Sequence, residues 1–424
     1  MTEQQIRSTS MRVLVSAILL NLTIQVVYVW SIFRNRIRLD ESAGGWGWES
    51  APAALPYTLG LIFFAIGVCI GGRLIDKIAP RLIGSIGGAM VGGGLIICGL
   101  VGNNPAIFTF SFGIITGLGI GFCYSAALTP SLKWFHPSKK GLISGLVLAG
   151  FGLASVQYSF ISNWLLDNFT IAQTFLYLGI AIAIISIVIS QLIKNPPEGF
   201  TPITPPGFVA KTGAAVVYDY TTGQMLRQPR FYFIFVVFFM SATIGLMFLG
   251  NIVSIVAELA PRGDTAATAA FGATLVAGAA LMNAIGRIAG GKLSDNIGRP
   301  NALFIALALQ LLNLIGFLFY QGPAAVTFGV VMAGWCFGMF LAIFPPFTAD
   351  HFGVKNSGGN YGVMYLAFGV AGFIAPMMAG VLVGLNDTYR DVFIVCAVLM
   401  VITLVINGIT KKVVSTPLPD PNNS

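Results

Sequence analysis

Long apolar stretches separated by short polar segments run through the whole sequence. Each holds roughly 20 residues, the length that an α-helix needs to cross the hydrocarbon core of a bilayer. No alternation of apolar and polar residues typical of a membrane barrel recurs, so the pattern predicts helices rather than strands. The predicted spans are 12–34, 52–73, 82–102, 105–129, 142–166, 171–193, 230–257, 266–290, 301–320, 324–347, 359–385 and 390–410. They predict an all-α membrane protein with twelve transmembrane helices.

The polar segment after the sixth span differs from the others. It is long and includes the Pro- and Gly-rich run NPPEGFTPITPPG, which is typical of a linker. We therefore predict an N-terminal six-helix bundle over residues 1–193, a cytoplasmic linker over 194–229 and a C-terminal six-helix bundle over 230–424.

Composition and charge agree with this pattern. The chain is 56% hydrophobic and 9% charged, whereas a soluble protein carries about 25% charged residues, so we expect the lipid bilayer to surround it. If the N-terminus is cytoplasmic, most of the 23 Lys and Arg residues fall in cytoplasmic segments. This distribution predicts a multi-pass protein of the cell (inner or plasma) membrane with both termini in the cytoplasm. The net charge of +8 is then a topology signal, and we expect no nucleic-acid partner.

Residues with metal-binding or catalytic chemistry are sparse. The five cysteines lie in apolar spans without metal-ligand spacing, and neither His136 nor His351 has an acidic or cysteine companion at such a spacing. A membrane-embedded enzyme would need a nucleophile, base or metal cluster at membrane depth. We therefore expect no metal, no cofactor, no catalytic residue and no enzyme.

Arg287 is the only formal charge that this assignment leaves in the interior of a span, because every other charged residue within the listed bounds lies within two residues of a span end. A guanidinium stays protonated, and holding it in a bilayer is costly, so an intramembrane arginine indicates a functional cavity. Asn283 lies four residues earlier and thus on the same helical face. Since the planar fork suits a carboxylate, we predict an anion site here. In the alternative, Arg287 pairs with a helix-end carbonyl or extends toward the cytoplasmic surface.

A motif repeats after the second and the eighth spans. The segments GRLIDKIAPR and GKLSDNIGR share G-x-x-x-D followed by a basic residue, and their acids, Asp76 and Asp295, are 219 residues apart. The repeat predicts two parallel halves, as in many secondary transporters. We predict a gating role for Asp76, Arg81, Asp295 and Arg299, because such an acid can cap a helix or pair with a basic neighbour in one conformation only.

These two loops resemble the signature of the major facilitator superfamily. Three further stretches, LKWFHPSKKGLISGLVLAGFGLA (132–154), QMLRQPRFYF (224–233) and NYGVMY (360–365), resemble the oxalate:formate antiporter group and the related monocarboxylate transporters. The resemblance implies the major facilitator fold, with two pseudo-symmetric six-helix bundles. It also implies that Arg287 binds the substrate carboxylate.

The chain departs from both patterns that it resembles. Where animal monocarboxylate transporters place an aspartate one turn before the arginine, this chain has Asn283. Where the oxalate pattern places a lysine after N-Y-G, it has Phe368. One fixed cation suits a monoanion better than a dianion, because a second unpaired carboxylate in a dry site is costly. Phe368 also favours a substrate with an apolar end.

Aromatic and apolar residues of other spans complete the predicted site. For any single one of them, packing within the helices or a place in the aromatic belt at the membrane interface is the more common role. The further substrate-binding candidates are Tyr28, Tyr124, Phe337, Leu341 and Tyr365.

The function predicted is secondary active transport of a small monocarboxylate of the lactate or pyruvate type, by alternating access and in symport with a proton. A proton cancels the cost of moving the anion against an inside-negative potential. The alternative is a carboxylate exchanger such as an oxalate:formate antiporter. We expect a monomer.

Overall fold

Residues 2–205, 218–386 and 388–416 are described by a computed structural model. Within these ranges the chain forms helices, turns and irregular connections, and twelve helices are long and apolar enough to span a membrane. We label them α1 (Glu3–Arg38), α2 (Ser50–Ile75), α3 (Pro80–Val101), α4 (Pro105–Trp134), α5 (Pro137–Asn168), α6 (Ile171–Ser190), α7 (Pro229–Leu249), α8 (Thr265–Ile297), α9 (Arg299–Phe317), α10 (Gly322–Phe352), α11 (Ser357–Asn386) and α12 (Arg390–Ser415). The predicted number and order of the helices are confirmed. Part of the predicted linker, residues 206–217, lies outside the described residues.

Two of the predicted spans are broken by residues outside any helix, and a third, 105–129, passes through a π-helical segment over Phe110–Thr116. In α1, an α-helix over Glu3–Ile24 gives way at Gln25 to a 3₁₀ turn over Val26–Val29 before helix resumes. The predicted span 230–257 is two helices, α7 and a short helix over Ile252–Leu259. The second break falls at Gly250 and Asn251. Glycine is a poor helix former, and the Asn251 side chain donates to the Met247 carbonyl at 2.7 Å.

The chain forms two compact units. The first comprises Met1–His136, Leu153–Pro206 and Lys355–Gly369, and the second comprises Pro137–Gly152, Gly207–Val354 and Val370–Ser424. Each unit therefore contains a short piece from the other half of the sequence. The start of α5 belongs to the second unit, and the start of α11 belongs to the first.

Close glycine contacts hold the helices of the first unit together. A side chain at Gly67 of α2 would collide with the backbone of Leu118 in α4, and one at Gly72 would collide with the backbone of Gly358 in α11. Such small residues allow membrane helices to approach closely. Helix α2 is thereby fixed against both α4 and the start of α11.

The second unit repeats these contacts at equivalent positions. Gly286 of α8 meets the backbone of Trp335 in α10, and Gly291 meets that of Gly141 in α5. Positions in α8 follow those in α2 by 219 residues, and positions in α10 follow those in α4 by 217. The start of α5 likewise corresponds to the start of α11. The internal repeat that the G-x-x-x-D motif indicates is therefore also present in the contacts between helices.

Candidate substrate-binding and gating sites

Arg287 lies on a strip of α8 between two tightly packed faces. Gly286 and Gly290 meet the backbone of α10, whereas Ala284 and Gly291 meet that of α5. At about 100° per residue, Arg287 falls between these two faces. The glycine contacts fix the backbone on both sides of the arginine, so its head group starts from a rigid base.

The guanidinium of Arg287 is buried, with 3% of the residue exposed. Its Nε donates to Asn283 Oδ1 at 2.8 Å, and its Nη1 donates to the carbonyl of Leu148 in α5 at 2.9 Å. A guanidinium carries five N–H donors, and these are its two hydrogen bonds among the described residues. The remaining donors are available to a ligand. The alternative interpretation expected the head group to pair with a helix-end carbonyl or to extend toward the cytoplasmic surface. Instead, the carbonyl that holds it, that of Leu148, lies in the middle of α5.

Phe337 and Leu341 lie one turn apart on α10 in the same unit, and both are buried. The ring of Phe337 occupies the space that Gly245 of α7 leaves open, and Gly338 packs against the backbone of Asn283. The segment that carries both candidates is therefore packed directly on the segment that carries Arg287.

Three tyrosines of the first unit, Tyr124, Tyr361 and Tyr365, form what we call the tyrosine cluster. The hydroxyls of Tyr124 and Tyr361 are hydrogen-bonded at 3.1 Å, and the ring of Tyr365 lies 5.1 Å from that of Tyr124. Phe64 packs edge-on against Tyr365, and Phe368 stacks on it at 5.2 Å. The structure thus brings together three predicted residues and adds Tyr361. Sequence reasoning had missed Tyr361, although it stands in the N-Y-G motif.

Tyr28 occupies a different setting in the first unit. It is half-buried in the 3₁₀ turn that interrupts α1. The turn follows Gln25, which is fully buried and whose side-chain amide has no hydrogen-bond partner among the described residues. The site residues predicted from the sequence are therefore distributed over both units.

Asp295 caps the start of α5. Its carboxylate accepts from the backbone N–H groups of Gly141 and Leu142, each at 2.8 Å, and from Arg299 Nη1 at 2.7 Å. The N-terminus of a helix carries partial positive charge, so a carboxylate is favourable there. Both modes named for this acid, capping and pairing with Arg299, occur together.

Asp76 caps the start of α11 in the same way. It accepts from the backbone N–H groups of Gly358 at 3.4 Å and Gly359 at 2.8 Å. Burial raises the pKa of Asp76, while the ammonium of Lys133 and the backbone N–H donors oppose that rise.

The basic partner of Asp76 differs from the predicted one. Lys133 of α4 pairs with it at 3.2 Å, whereas Arg81 is exposed in the first turn of α3. The expected Asp76–Arg81 pair is corrected on this point: close glycine packing of α2 against α4 places Lys133, not Arg81, beside the acid.

A further acid extends the charged group at Asp295. Asp350, near the end of α10, accepts from Arg299 Nε at 2.8 Å and pairs with Lys140 at 3.3 Å. Sequence reasoning did not select Asp350, Lys140 or Lys133. Each capping bond joins residues on opposite sides of the predicted linker in the sequence, and both of its partners belong to the same compact unit.

Comparison with known proteins places the chain in a family. The family model of the Major Facilitator Superfamily matches residues 13–333 and 247–423. The chain belongs to this superfamily. It is therefore a multi-pass membrane transporter, and the family resemblance inferred from the two G-x-x-x-D loops is confirmed.

Several superfamily members are similar over most of their length. The uncharacterized MFS-type transporter YhjX of Escherichia coli is 28% identical over 372 residues, covering 87% of each chain. The oxalate:formate antiporter of Oxalobacter formigenes is 28% identical over 392 residues, covering 91% of this chain and 87% of its own. Monocarboxylate transporter 13 of Rattus norvegicus is 22% identical over 345 residues, covering 80% and 75%.

A solved structure shows the same fold. The superfamily transporter FucP, in its outward conformation, aligns with a TM-score of 0.68 and 13% identity, over 93% of this chain and 98% of its own. The predicted fold class, an all-α membrane protein with the major facilitator fold, is confirmed.

Proposed function

We propose that this chain is a secondary active transporter of a small monocarboxylate of the lactate or pyruvate type, and that Arg287 binds the carboxylate. The observation that carries the proposal is the buried guanidinium of Arg287, held by Asn283 and the Leu148 carbonyl with N–H donors left over. A planar fork of donors matches the two oxygens of a carboxylate. The similarity to monocarboxylate transporters supports the same class of substrate.

A monoanion fits better than a dianion. Phe368, at the position where the oxalate pattern places a lysine, is fully buried and stacks on Tyr365. It offers a second carboxylate no charge, and burying a charge without a partner is costly. We assign Asn283, Phe337 and Leu341 to the binding surface around Arg287. For Tyr28, Tyr124, Tyr365 and Phe368 of the first unit, substrate binding is likewise a proposal, to be tested by variants.

We further propose that a proton accompanies the anion. Arg287 is positive when the site is empty, so a bound monocarboxylate neutralises it. Moving the anion alone against an inside-negative potential costs about 2.3 kcal/mol per charge per 100 mV, and a proton cancels that cost. Asn283 stands where the resemblance places an aspartate, so the proton travels on or beside the substrate rather than on a fixed acid.

Exchange of two carboxylates is the second candidate. The 28% identity with an oxalate:formate antiporter over 91% of the chain favours it. In an exchanger the empty site reorients poorly, so a second anion must return before the next cycle.

The carboxylate site is tested by replacing Arg287. We expect Arg287→Ala, which removes the charge, and Arg287→Lys, which keeps the charge but loses the fork, to abolish or severely reduce uptake of labelled lactate and pyruvate into proteoliposomes. Arg262→Ala is the matched control, because Arg262 is exposed and stacks on Phe271. Full uptake by a correctly inserted Arg287→Ala variant contradicts the assignment.

A further inference from the structure

Ser144 of α5 carries a buried hydroxyl that bonds to nothing in the described part of the chain. The residue is 0% exposed, and its Oγ has no hydrogen-bond partner. Other buried serines, such as Ser131 and Ser241, donate to the carbonyl four residues earlier, at 2.7 and 2.6 Å. A buried hydroxyl without a partner is destabilising, so the Ser144 hydroxyl is suited to a ligand that supplies one.

Ser144 lies beside the Arg287 site. The next residue, Gly145, packs against the backbone carbonyl of Arg287. One turn after Ser144, the carbonyl of Leu148 accepts from Arg287 Nη1. Residues four apart on a helix share a face, so Ser144 and the carbonyl that anchors Arg287 belong to the same side of α5.

The internal repeat indicates where the Ser144 side chain points. The glycine contacts make position 144 equivalent to 361, and position 341 equivalent to 124. In the first unit the hydroxyls of Tyr361 and Tyr124 meet at 3.1 Å. We infer that Ser144 is directed toward Leu341 across the equivalent space.

That space holds smaller side chains in the second unit. Where the first unit has Tyr124, Tyr361 and Tyr365, the second has Leu341, Ser144 and Leu148. The equivalent of Arg287 is Val68. The same helix packing therefore carries three tyrosines in one unit and, in the other, a guanidinium beside a serine and two leucines.

We propose that the Ser144 hydroxyl hydrogen-bonds the 2-oxygen of a 2-hydroxy or 2-oxo monocarboxylate whose carboxylate is held by Arg287. This assignment rests on the proposed function. A serine hydroxyl can donate to a keto oxygen, and it can donate to or accept from a hydroxyl group. It therefore serves lactate and pyruvate equally, whereas a plain carboxylate such as propionate has no group to pair with it.

The test compares lactate with propionate in proteoliposomes. Because one neutral hydrogen bond is at stake, Ser144→Ala should lower kcat/KM for lactate and pyruvate by about three- to ten-fold and leave that for propionate unchanged. Ser144→Thr, which keeps the hydroxyl, should retain the preference. Ser162→Ala is the matched control, because Ser162 is also buried on α5 with an unpartnered hydroxyl but belongs to the first unit.

Each outcome bears on the assignment. A selective loss for the 2-oxygenated acids supports it. An equal loss for all three acids, or no loss, overturns it and leaves the role of Arg287 intact, provided that Arg287→Ala is inactive in the same assay. Uptake of none of the acids by the unaltered protein, or full activity of Arg287→Ala, overturns the proposed function and this assignment with it.

Discussion

Arg287 and Phe368 enter the proposed substrate choice in different ways. We propose that Arg287, in the second unit, binds one carboxylate. Phe368, in the first unit, is fully buried against Tyr365 and offers only apolar surface. Under this proposal a methyl-bearing monocarboxylate, which has one charge and an apolar remainder, suits these residues better than oxalate, which has two charges.

Phe368→Lys tests this discrimination. A second cation should improve oxalate binding relative to lactate by at least about ten-fold, because hydrogen bonds to charged groups contribute about 1.5–3 kcal/mol. Competition of each acid against labelled lactate in proteoliposomes measures the ratio. Phe368→Leu is the control, since it removes the ring without adding charge. If oxalate binding stays undetectable while lactate transport survives, a missing second cation is not what excludes dianions.

For individual residues, the sequence reveals side chains with unusual chemistry but says little about the groups that they contact. Arg287 and Asn283 stand out because a charge in an apolar helix and a polar residue four positions away are visible in the sequence. The Leu148 carbonyl that holds Arg287 has no sequence signature, since every residue has a carbonyl. The partner of Asp76 is hidden for a similar reason. Arg81 is closer to Asp76 in the sequence, but the packing of α2 against α4 brings Lys133 to the carboxylate.

Two equivalent helix caps join helices that come from different halves of the sequence. Asp76 closes the start of α11 and Asp295 closes the start of α5. Each acid accepts from backbone N–H groups of that helix start and pairs with one cation on another element, so the N–H bonds are lost if the helix start moves away. We infer that these caps stabilise one conformational state of the transport cycle.

Asn replacements of the two acids test the gate. Asn keeps an acceptor for the backbone N–H groups but loses the charge, which is worth about 0.3–1 kcal/mol at a helix terminus. We expect Asp76→Asn and Asp295→Asn to change the maximal rate of lactate uptake by about two- to five-fold, as this energy implies, with little change in KM. Glu41→Gln, in an exposed 3₁₀ turn, is the control. A rise in KM at unchanged maximal rate would place these acids in the binding site instead.

The elements themselves were the most predictable part of the protein. A bilayer demands about 20 apolar residues per helix, and that requirement alone located all twelve spans. The breaks at Gln25 and Gly250 escaped detection because the residues on both sides are apolar, so mean hydropathy does not change there. The glycines signalled close packing, yet which helix each one meets depends on tertiary contacts.

In the molecule as a whole, one pattern of helix packing occurs twice with different side chains at equivalent positions. Equivalent glycines hold α2 and α8 in equivalent surroundings, while the residues between them differ: Val68 and Phe64 in one unit, Arg287 and Asn283 in the other. Of these four equivalent positions, one carries a charge. Under the proposed function, charge movement in the transport cycle then depends on what accompanies the anion, because Val68, the equivalent of Arg287, is uncharged.

Net uptake into empty vesicles distinguishes symport from exchange. We expect lactate to accumulate in proteoliposomes that contain no carboxylate when an inward proton gradient is imposed, because the carrier with anion and proton bound has the same charge as the empty carrier, so that both can reorient. A protonophore should collapse the accumulation, and Arg287→Ala vesicles under the same gradient should show only leak. A membrane potential alone should have little effect, since one proton and one monoanion carry no net charge. Uptake that appears only in vesicles preloaded with a carboxylate would instead establish exchange, because the empty site would then be the state that cannot cross.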